Sequence, residues 1–218
     1  MYNKLIDHTL LKANATEKDV IQLCKEAKTY DFMSVCINPA FVSLAKQELA
    51  ESDVYVCTVI GFPLGANTIE VKVAETIDAI NNGADEIDMV INISKVKDHD
   101  FDYIYEEIKA VVDVSQSKVV KVIIETCYLT DKEKVEVCKC ASLAGALFVK
   151  TSTGFGTGGA SVHDVKLMRD SILSEMSVKA SGGIRDLKFL KELVEAGASR
   201  IGASSGVAIM KELNKERK

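Results

Sequence analysis

Short apolar segments alternate along the chain with amphipathic stretches of about a dozen residues. Several short segments are apolar at consecutive positions, which is typical of strands covered on both faces. The longer stretches repeat apolar residues at helical spacing, as at Val20, Leu23, Cys24 and Ala27. This alternation predicts βα units and a parallel sheet. The predicted strands are 5–9, 33–37, 54–60, 86–91, 119–124, 147–150, 177–180 and 200–203.

Local signals mark the starts of four predicted helices. Asn38 before Pro39 predicts an N-cap with proline at the first helical position. In a capping box, a hydroxyl residue and an acidic residue three positions later satisfy the first backbone N–H groups of a helix. This pattern occurs at Thr16 and Asp19, at Thr130 and Glu133, and at Ser161 and Asp164.

A weak repeat connects three of the βα units. A Gly-Ala pair ends a helical pattern and opens a strand at Gly83, Gly145 and Gly197, where glycine supplies a left-handed turn. Five residues further on lie Asp88, Lys150 and Gly202. We therefore expect one (β/α)8 TIM barrel over residues 1–218, with chemistry at equivalent strand ends. An open doubly wound sheet is the competing architecture, but the G-x-G-x-x-G turn after its first strand is missing.

Composition narrows the class of protein. The chain has 218 residues, 47% hydrophobic and 27% charged, with a net charge of −5. These values are typical of an ordinary globular protein and give no basic cluster for nucleic acid or a membrane surface. The six cysteines form no CxxC pair and the three histidines are far apart, so we expect no zinc site. No signal or membrane segment is visible in the sequence, which predicts a cytoplasmic location, and a homodimer is a reasonable prior.

Charged residues inside apolar strands are the strongest candidates for chemistry. Lys121, Lys150 and Lys179 interrupt or close three strands, and Asp88 interrupts a fourth. A lysine attacks a carbonyl only as a neutral amine, whereas a free lysine has a pKa of about 10.4. Burial and a neighbouring cation both disfavour the ammonium, so two strand-end lysines in one pocket would serve this chemistry. Each lysine could instead extend to solvent or form a structural ion pair.

Glycine and serine segments after the last two strands predict an anion site. Residues 181–183 read Ser-Gly-Gly and residues 202–205 read Gly-Ala-Ser-Ser. Barrel enzymes commonly bind phosphate in this position with backbone N–H groups. Gly154, Gly156, Gly158 and Gly159 continue the same style of loop after Lys150. Ordinary glycine turns are the alternative, but two such segments at the expected strand ends favour a phosphate site.

Eight motifs in order resemble the deoxyribose-phosphate aldolase family: IDHTLL, VCINPAF, GFPLG, EIDMVINI, KVIIET, FVKTSTGF, KASGGIR and IGASS. They span nearly the whole chain. The resemblance implies a (β/α)8 class I aldolase that interconverts 2-deoxy-D-ribose 5-phosphate with D-glyceraldehyde 3-phosphate and acetaldehyde. It implies a lysine Schiff base and no metal or organic cofactor.

The resemblance also assigns roles to residues. Lys150 would form the Schiff base, Lys179 would favour its neutral form, and Asp88 would relay protons with Lys179. Asp7, Thr9 and Thr151 match sugar-hydroxyl contacts, Lys121 belongs to the polar shell, and Cys36 matches a pocket-lining thiol. The phosphate contacts fall on Gly154, Gly182, Gly183, Ser204 and Ser205.

Two positions depart from the family pattern. Some members end in a tyrosine that reaches the active site, whereas residues 214–218 here read Asn-Lys-Glu-Arg-Lys. Proton transfer at the enamine is therefore expected to be slower or to pass through water. Some members have a basic residue where Phe155 stands, so phosphate binding would depend more on backbone groups, hydroxyls or Arg185. A transaldolase-like enzyme for longer sugar phosphates and a catalytically silent sugar-phosphate sensor remain as alternatives.

Overall fold

The computed structural model describes residues 2–216. Arg217 and Lys218, part of the tail on which the proton-transfer expectation rests, lie outside the described residues. Eight parallel strands pair in chain order and close into a barrel, because β1 pairs with both β2 and β8. The strands are β1 Ile6–Leu10, β2 Ser34–Ile37, β3 Tyr55–Ile60, β4 Glu86–Val90, β5 Val119–Ile123, β6 Phe148–Lys150, β7 Ser177–Ser181 and β8 Ala198–Ala203. The predicted barrel is confirmed.

Helices cover the outside of the barrel. They are α1 Glu17–Tyr30, α2 Val42–Glu48, α3 Ile69–Asn81, α4 Ile93–Lys97, α5 Phe101–Val114, α6 Asp131–Leu143, α7 Val162–Ser171, α8 Leu187–Glu195 and α9 Gly206–Glu216. The buried apolar residues of helices and strands form one main cluster between these two layers. None of the helices in residues 2–216 is long and apolar enough to cross a membrane.

Three of the four predicted helix starts form the expected side-chain cap. Reciprocal capping boxes form at Thr16 and at Thr130, and the Ser161 hydroxyl accepts from the N–H of Asp164. Asn38 makes no side-chain capping bond, and Pro39–Phe41 is a single 3-10 turn before α2. At that site the proline fixes the turn, but no side chain satisfies the first N–H groups.

The three repeat glycines adopt the expected left-handed conformation. Gly83, Gly145 and Gly197 have φ values of 105°, 83° and 113°. Each ends a helix and turns the chain back to the amino end of the next strand. A side chain at these positions would be strained whatever the available space.

A buried ion pair supports the loop between β3 and α3. The Lys72 ammonium on α3 donates to Glu107 Oε1 at 2.6 Å and to the carbonyl oxygens of Gly65 and Val90, each at 2.7 Å. Glu107 Oε2 on α5 accepts from the N–H of Asn92 at 2.9 Å. All three ammonium protons of Lys72 therefore have protein acceptors, and neither charged side chain is exposed to solvent.

Candidate active site

A cavity of about 320 Å3 opens at the carboxyl ends of the strands. The loops after β1, β6, β7 and β8 form its wall, and barrel enzymes place their active sites at this end. The cavity brings together many of the residues that the sequence singles out. Those in its lining are Thr9, Lys150, Gly154, Gly182, Gly183, Ser204 and Ser205.

The charge of the cavity wall has one sign. Lys12, Lys150 and Arg185 line it, and the described part of the chain contributes no carboxylate to the lining. The remaining lining residues are apolar, hydroxyl-bearing or glycine. Since the chain as a whole has a net charge of −5, this local excess of cations favours an anionic ligand.

Asp88 joins three lysines beneath the cavity. Its Oδ2 lies 2.8 Å from the Nζ of Lys150 and 2.7 Å from that of Lys179, and its Oδ1 lies 2.8 Å from the Nζ of Lys121. Lys150 and Lys179 are directly paired in the register of β6 and β7. Burial alone would raise the pKa of Asp88, but the three ammonium groups outweigh it and hold that pKa well below its usual range.

A second layer of charge lies deeper in the barrel. Asp7 Oδ2 is 2.5 Å from Lys179 Nζ, and Asp7 Oδ1 accepts from the Arg200 guanidinium. Arg200 also donates to Glu86, whose Oε2 is 2.7 Å from Lys121 Nζ. Burial disfavours the Lys179 ammonium, but Asp7 and Asp88 outweigh it and raise the pKa of Lys179. Lys179 is therefore held as a cation.

The three lysines around Asp88 differ in access. Lys121 and Lys179 are 0% exposed and do not line the cavity, whereas Lys150 is 2% exposed and does. The only hydrogen bond of the Lys150 ammonium within residues 2–216 is the one to Asp88. The amine of Lys150 can therefore meet a molecule in the cavity while Asp88 holds it from below.

Two glycine loops form the floor of the predicted anion site. Gly154, Gly182 and Gly183 have φ values of 87°, 86° and 78°, a conformation that L side chains rarely adopt. A Cβ on Gly159 would lie 2.3 Å from the carbonyl oxygen of Gly182, and the N–H of Ala160 donates to that oxygen at 3.0 Å. The loops after β6 and β7 are thus in backbone contact.

Glu125 fixes the loop that follows Lys150. Its carboxylate accepts from the backbone N–H and the hydroxyl of Thr153, which lines the cavity. Glu125 itself has a left-handed φ of 51° after β5. Burial raises the pKa of Glu125 despite these hydrogen bonds. The hydrogen bonds to Thr153 explain why an acidic residue stands at the end of β5.

Three expected substrate contacts lie outside the cavity lining, and a fourth lies within it. The Thr151 hydroxyl donates to the carbonyl of Ser181 and accepts from its N–H, so it links β6 to β7. Cys36 is buried in a small apolar cluster, and Asp7 is fully buried in the charged layer. Thr9 does line the cavity, and its hydroxyl donates to the carbonyl of Asp7.

Sequence reasoning missed Arg200, Glu86 and Lys12. Arg200 interrupts an apolar strand as the lysines do, so the same criterion would have found it. Glu86 lies two residues before Asp88 on β4, and alternation in a strand places both on one face. Lys12 lies in the loop after β1 and gives no local sequence signal.

Within residues 2–216, two groups of side chains have donor atoms close enough for a metal ion. The donor atoms of Cys36, Cys57 and Asp88 lie within 4.8 Å of one another. Cys57 donates to Asp88 and lies 3.4 Å from the Lys121 ammonium, and surrounding cations oppose a metal there. In the other group, Asp131, His163 and Asp164, the Lys134 ammonium already pairs with both carboxylates.

A closed (β/α)8 barrel with this cavity at the carboxyl ends of its strands has the architecture of a barrel enzyme. Residues 2–212 match the model of the DeoC/LacD family of aldolases. The chain belongs to this family.

Named relatives extend the match over nearly the full length. A deoxyribose-phosphate aldolase from a Thermoanaerobacter species is 60% identical over 215 residues, covering 97% of this chain and 96% of the relative. One from Lactococcus lactis is 60% identical over 211 residues, covering 97% and 96%. The tetrameric deoxyribose phosphate aldolase of Aeropyrum pernix has a TM-score of 0.92 at 35% identity, covering 98% and 91%. The homodimer expected from the sequence stays a prediction.

Proposed function

We propose that this aldolase reversibly cleaves 2-deoxy-D-ribose 5-phosphate to D-glyceraldehyde 3-phosphate and acetaldehyde through a Schiff base on Lys150. One observation carries the choice of residue: among the lysines around Asp88, Lys150 alone borders the cavity within residues 2–216. The names of the relatives that are 60% identical support the choice of substrate.

The charged groups below the cavity are unequal in number. Three carboxylates, those of Asp7, Glu86 and Asp88, face four cationic side chains: Lys121, Lys150, Lys179 and Arg200. The cluster therefore contains one more cation than carboxylates. Lys179 is held as an ammonium by two carboxylates, whereas Lys150 has one partner and access to substrate.

In the cleavage direction, the neutral Lys150 amine attacks C1 of the open-chain sugar, and loss of water gives a protonated imine. Removal of the C3 hydroxyl proton then lets the C2–C3 bond break. Its electron pair moves into the imine, which forms an enamine, and D-glyceraldehyde 3-phosphate leaves. Protonation at C2 and attack by water release acetaldehyde and return the amine. The imine is the electron sink, so the scheme requires no metal or organic cofactor.

We assign the proton relay to Asp88 and Lys179. Asp88 Oδ2 contacts both the nucleophile and Lys179, so one oxygen links the reacting nitrogen to a retained ammonium. The same groups serve condensation, because microscopic reversibility requires the reverse path. The phosphate would bind to the glycine loops at Gly182 and Gly183 and to the hydroxyls of Ser204 and Ser205, which border the cavity beside Lys150.

Borohydride trapping tests the proposal. Reduction in the presence of acetaldehyde should leave an ethyl adduct on Lys150, located by peptide mass spectrometry. Lys150→Ala should lose this adduct, whereas Lys166→Ala, a change at an exposed lysine on α7, should keep it. Folded, substrate-saturated enzyme without an adduct on Lys150 would contradict the mechanism. Faster turnover with dihydroxyacetone than with acetaldehyde as donor would instead favour a transaldolase-like reaction.

A further inference from the structure

The order of strands places two cations on opposite sides of the anion site. Ser204 and Ser205 follow β8, whose neighbours in the barrel are β7 and β1. Arg185 follows β7, and Lys12 follows β1. Both line the cavity. An anion at the two serines would thus have one cation in the loop on either side of it.

The backbone at Lys12 is anchored. Its carbonyl oxygen accepts from the N–H of Ala15 at 3.1 Å and from Asn38 Nδ2 at 3.4 Å. The loop is therefore held to the carboxyl end of β2, and the side chain starts from a fixed point beside the cavity. Lys12 and Ser204 also both line a second, adjacent cavity.

The ammonium of Lys12 is not paired. Within residues 2–216 it forms no salt bridge, and the side chain is exposed. Asp19 also lines the adjacent cavity, but its Oδ2 already accepts from the backbone N–H and the hydroxyl of Thr16. An unpaired cation next to a glycine and serine cradle is available to an incoming dianion.

The loop after β6 supplies no such charge. Phe155 stands there, and its ring packs edge-on against Phe62 with centroids 5.3 Å apart. Besides Lys150, the charges in the described lining come only from the loops after β7 and β1. Two cations would neutralise the dianion of a phosphate monoester, and Lys12 is the charged residue of the described lining besides Arg185 and Lys150.

We propose that Lys12 binds the substrate phosphate from the β1 side and determines the preference for phosphorylated over unphosphorylated sugar. The proposal rests on the proposed function, because it assigns a contact to the phosphate of that substrate. Charge-assisted bonds to phosphate are among the strong hydrogen bonds of proteins, so loss of one such bond has a measurable effect on binding.

The test compares Lys12→Gln with Lys18→Gln, a matched change at an exposed lysine on α1 that lies outside the cavity lining. For Lys12→Gln, we expect kcat/KM for 2-deoxyribose 5-phosphate relative to that for 2-deoxyribose to fall on the order of tenfold, mainly through KM. Lys18→Gln should keep the wild-type ratio, and Lys12→Arg should restore most of it. Equal ratios in Lys12→Gln and Lys18→Gln would overturn the proposal.

A second measurement does not depend on turnover. Inorganic phosphate, titrated calorimetrically, should bind Lys12→Gln on the order of tenfold more weakly than Lys18→Gln. Suppose that phosphate binds Lys12→Gln more weakly than Lys18→Gln, but the wild type does not cleave the sugar phosphate. The proposed function then fails, and the role of Lys12 in anion binding stands. If phosphate binds both variants equally, the role of Lys12 fails whatever the activity.

Discussion

Two buried regions of this molecule in which lysines pair with carboxylates differ in their access to a cavity. Inside the barrel, three lysines surround Asp88, and one of them reaches a cavity. Between α3 and α5, Lys72 pairs with Glu107 and has an acceptor for each of its protons. Both regions are buried, but of the two only the barrel region leaves an amine with a single described acceptor.

Electrostatics differ between the two regions as well. At Asp88, burial opposes the charge and three cations overcome it, so the pKa is depressed. At the second region burial prevails: it lowers the pKa of Lys72 and raises that of Glu107, although each is the partner of the other. A single ion pair does not compensate for lost hydration here, whereas several cations around one carboxylate do.

Burial alone does not separate a reactive lysine from a structural one. Burial is common to both regions, so it does not identify a nucleophile. Access to a cavity, an excess of neighbouring positive charge and an incomplete set of acceptors occur together at Lys150. None of these three holds at Lys72, whose described contacts are complete.

The same substitution at the two lysines should therefore separate activity from stability. Lys150→Met should lower kcat by about 10⁴-fold or more, because it removes the proposed nucleophile. The free energy of unfolding should stay within about 1 kcal/mol of wild type, since Asp88 keeps two cations. Steady-state kinetics and urea unfolding measure both. Substantial activity in Lys150→Met would mean that another amine forms the imine.

Lys72→Met should show the opposite result. It leaves the buried Glu107 carboxylate without its cation, which should cost about 3–5 kcal/mol of unfolding free energy. The kcat per folded molecule should remain close to wild type, because Lys72 does not border the cavity. Urea unfolding with active-site titration measures the two quantities.

Replacement of the whole pair provides the control. Lys72→Met combined with Glu107→Leu should recover a large part of the lost stability, because no unpaired charge remains in the interior. A double variant as unstable as Lys72→Met alone would show that packing or the lost backbone hydrogen bonds, rather than the orphaned charge, cause the effect.

The smallest expected effect is on the pH dependence of stability, and its sign differs between the regions. The folded-state pKa of Glu107 is raised above 4.5, so its contribution to stability is full below that pH and declines as pH rises through the folded pKa. The folded-state pKa of Asp88 is depressed below 3.8. The contribution of Asp88 to stability is therefore full above that pH and is lost on acidification.

Urea unfolding of Glu107→Gln and wild type at a series of pH values tests this difference. The variant should lose the part of the slope above pH 4.5 that Glu107 contributes, and both proteins should still lose stability below pH 3.8. Parallel curves above pH 4.5 would contradict the assigned direction for Glu107.

Much of the fold follows from local patterns in the sequence. Each of the eight strands overlaps its predicted segment, and the repeat glycines have the expected conformation. The glycine and serine loops also meet where the barrel predicts, because parallel strands bring their carboxyl ends to one rim.

The charged network was less accessible to sequence reasoning. Arg200 contacts Asp7 across 193 positions of sequence and Glu86 across 114, and local periodicity does not encode such distant partners. Sequence also did not distinguish the nucleophile, since Lys121, Lys150 and Lys179 interrupt apolar strands alike. Their positions relative to the cavity depend on strand register and on where each strand ends, and β6 ends at Lys150 itself.

The contact between Gly159 and Gly182 has a consequence for the size of the substrate. It joins the loop after β6, which follows Lys150, to the glycine loop after β7, so the distance between the Lys150 amine and the proposed phosphate position is fixed by the backbone. This distance determines the length of carbon chain that can connect the carbonyl to the phosphate. If the phosphate binds as proposed, we expect a sugar phosphate one carbon shorter or longer to place its carbonyl out of reach of Lys150.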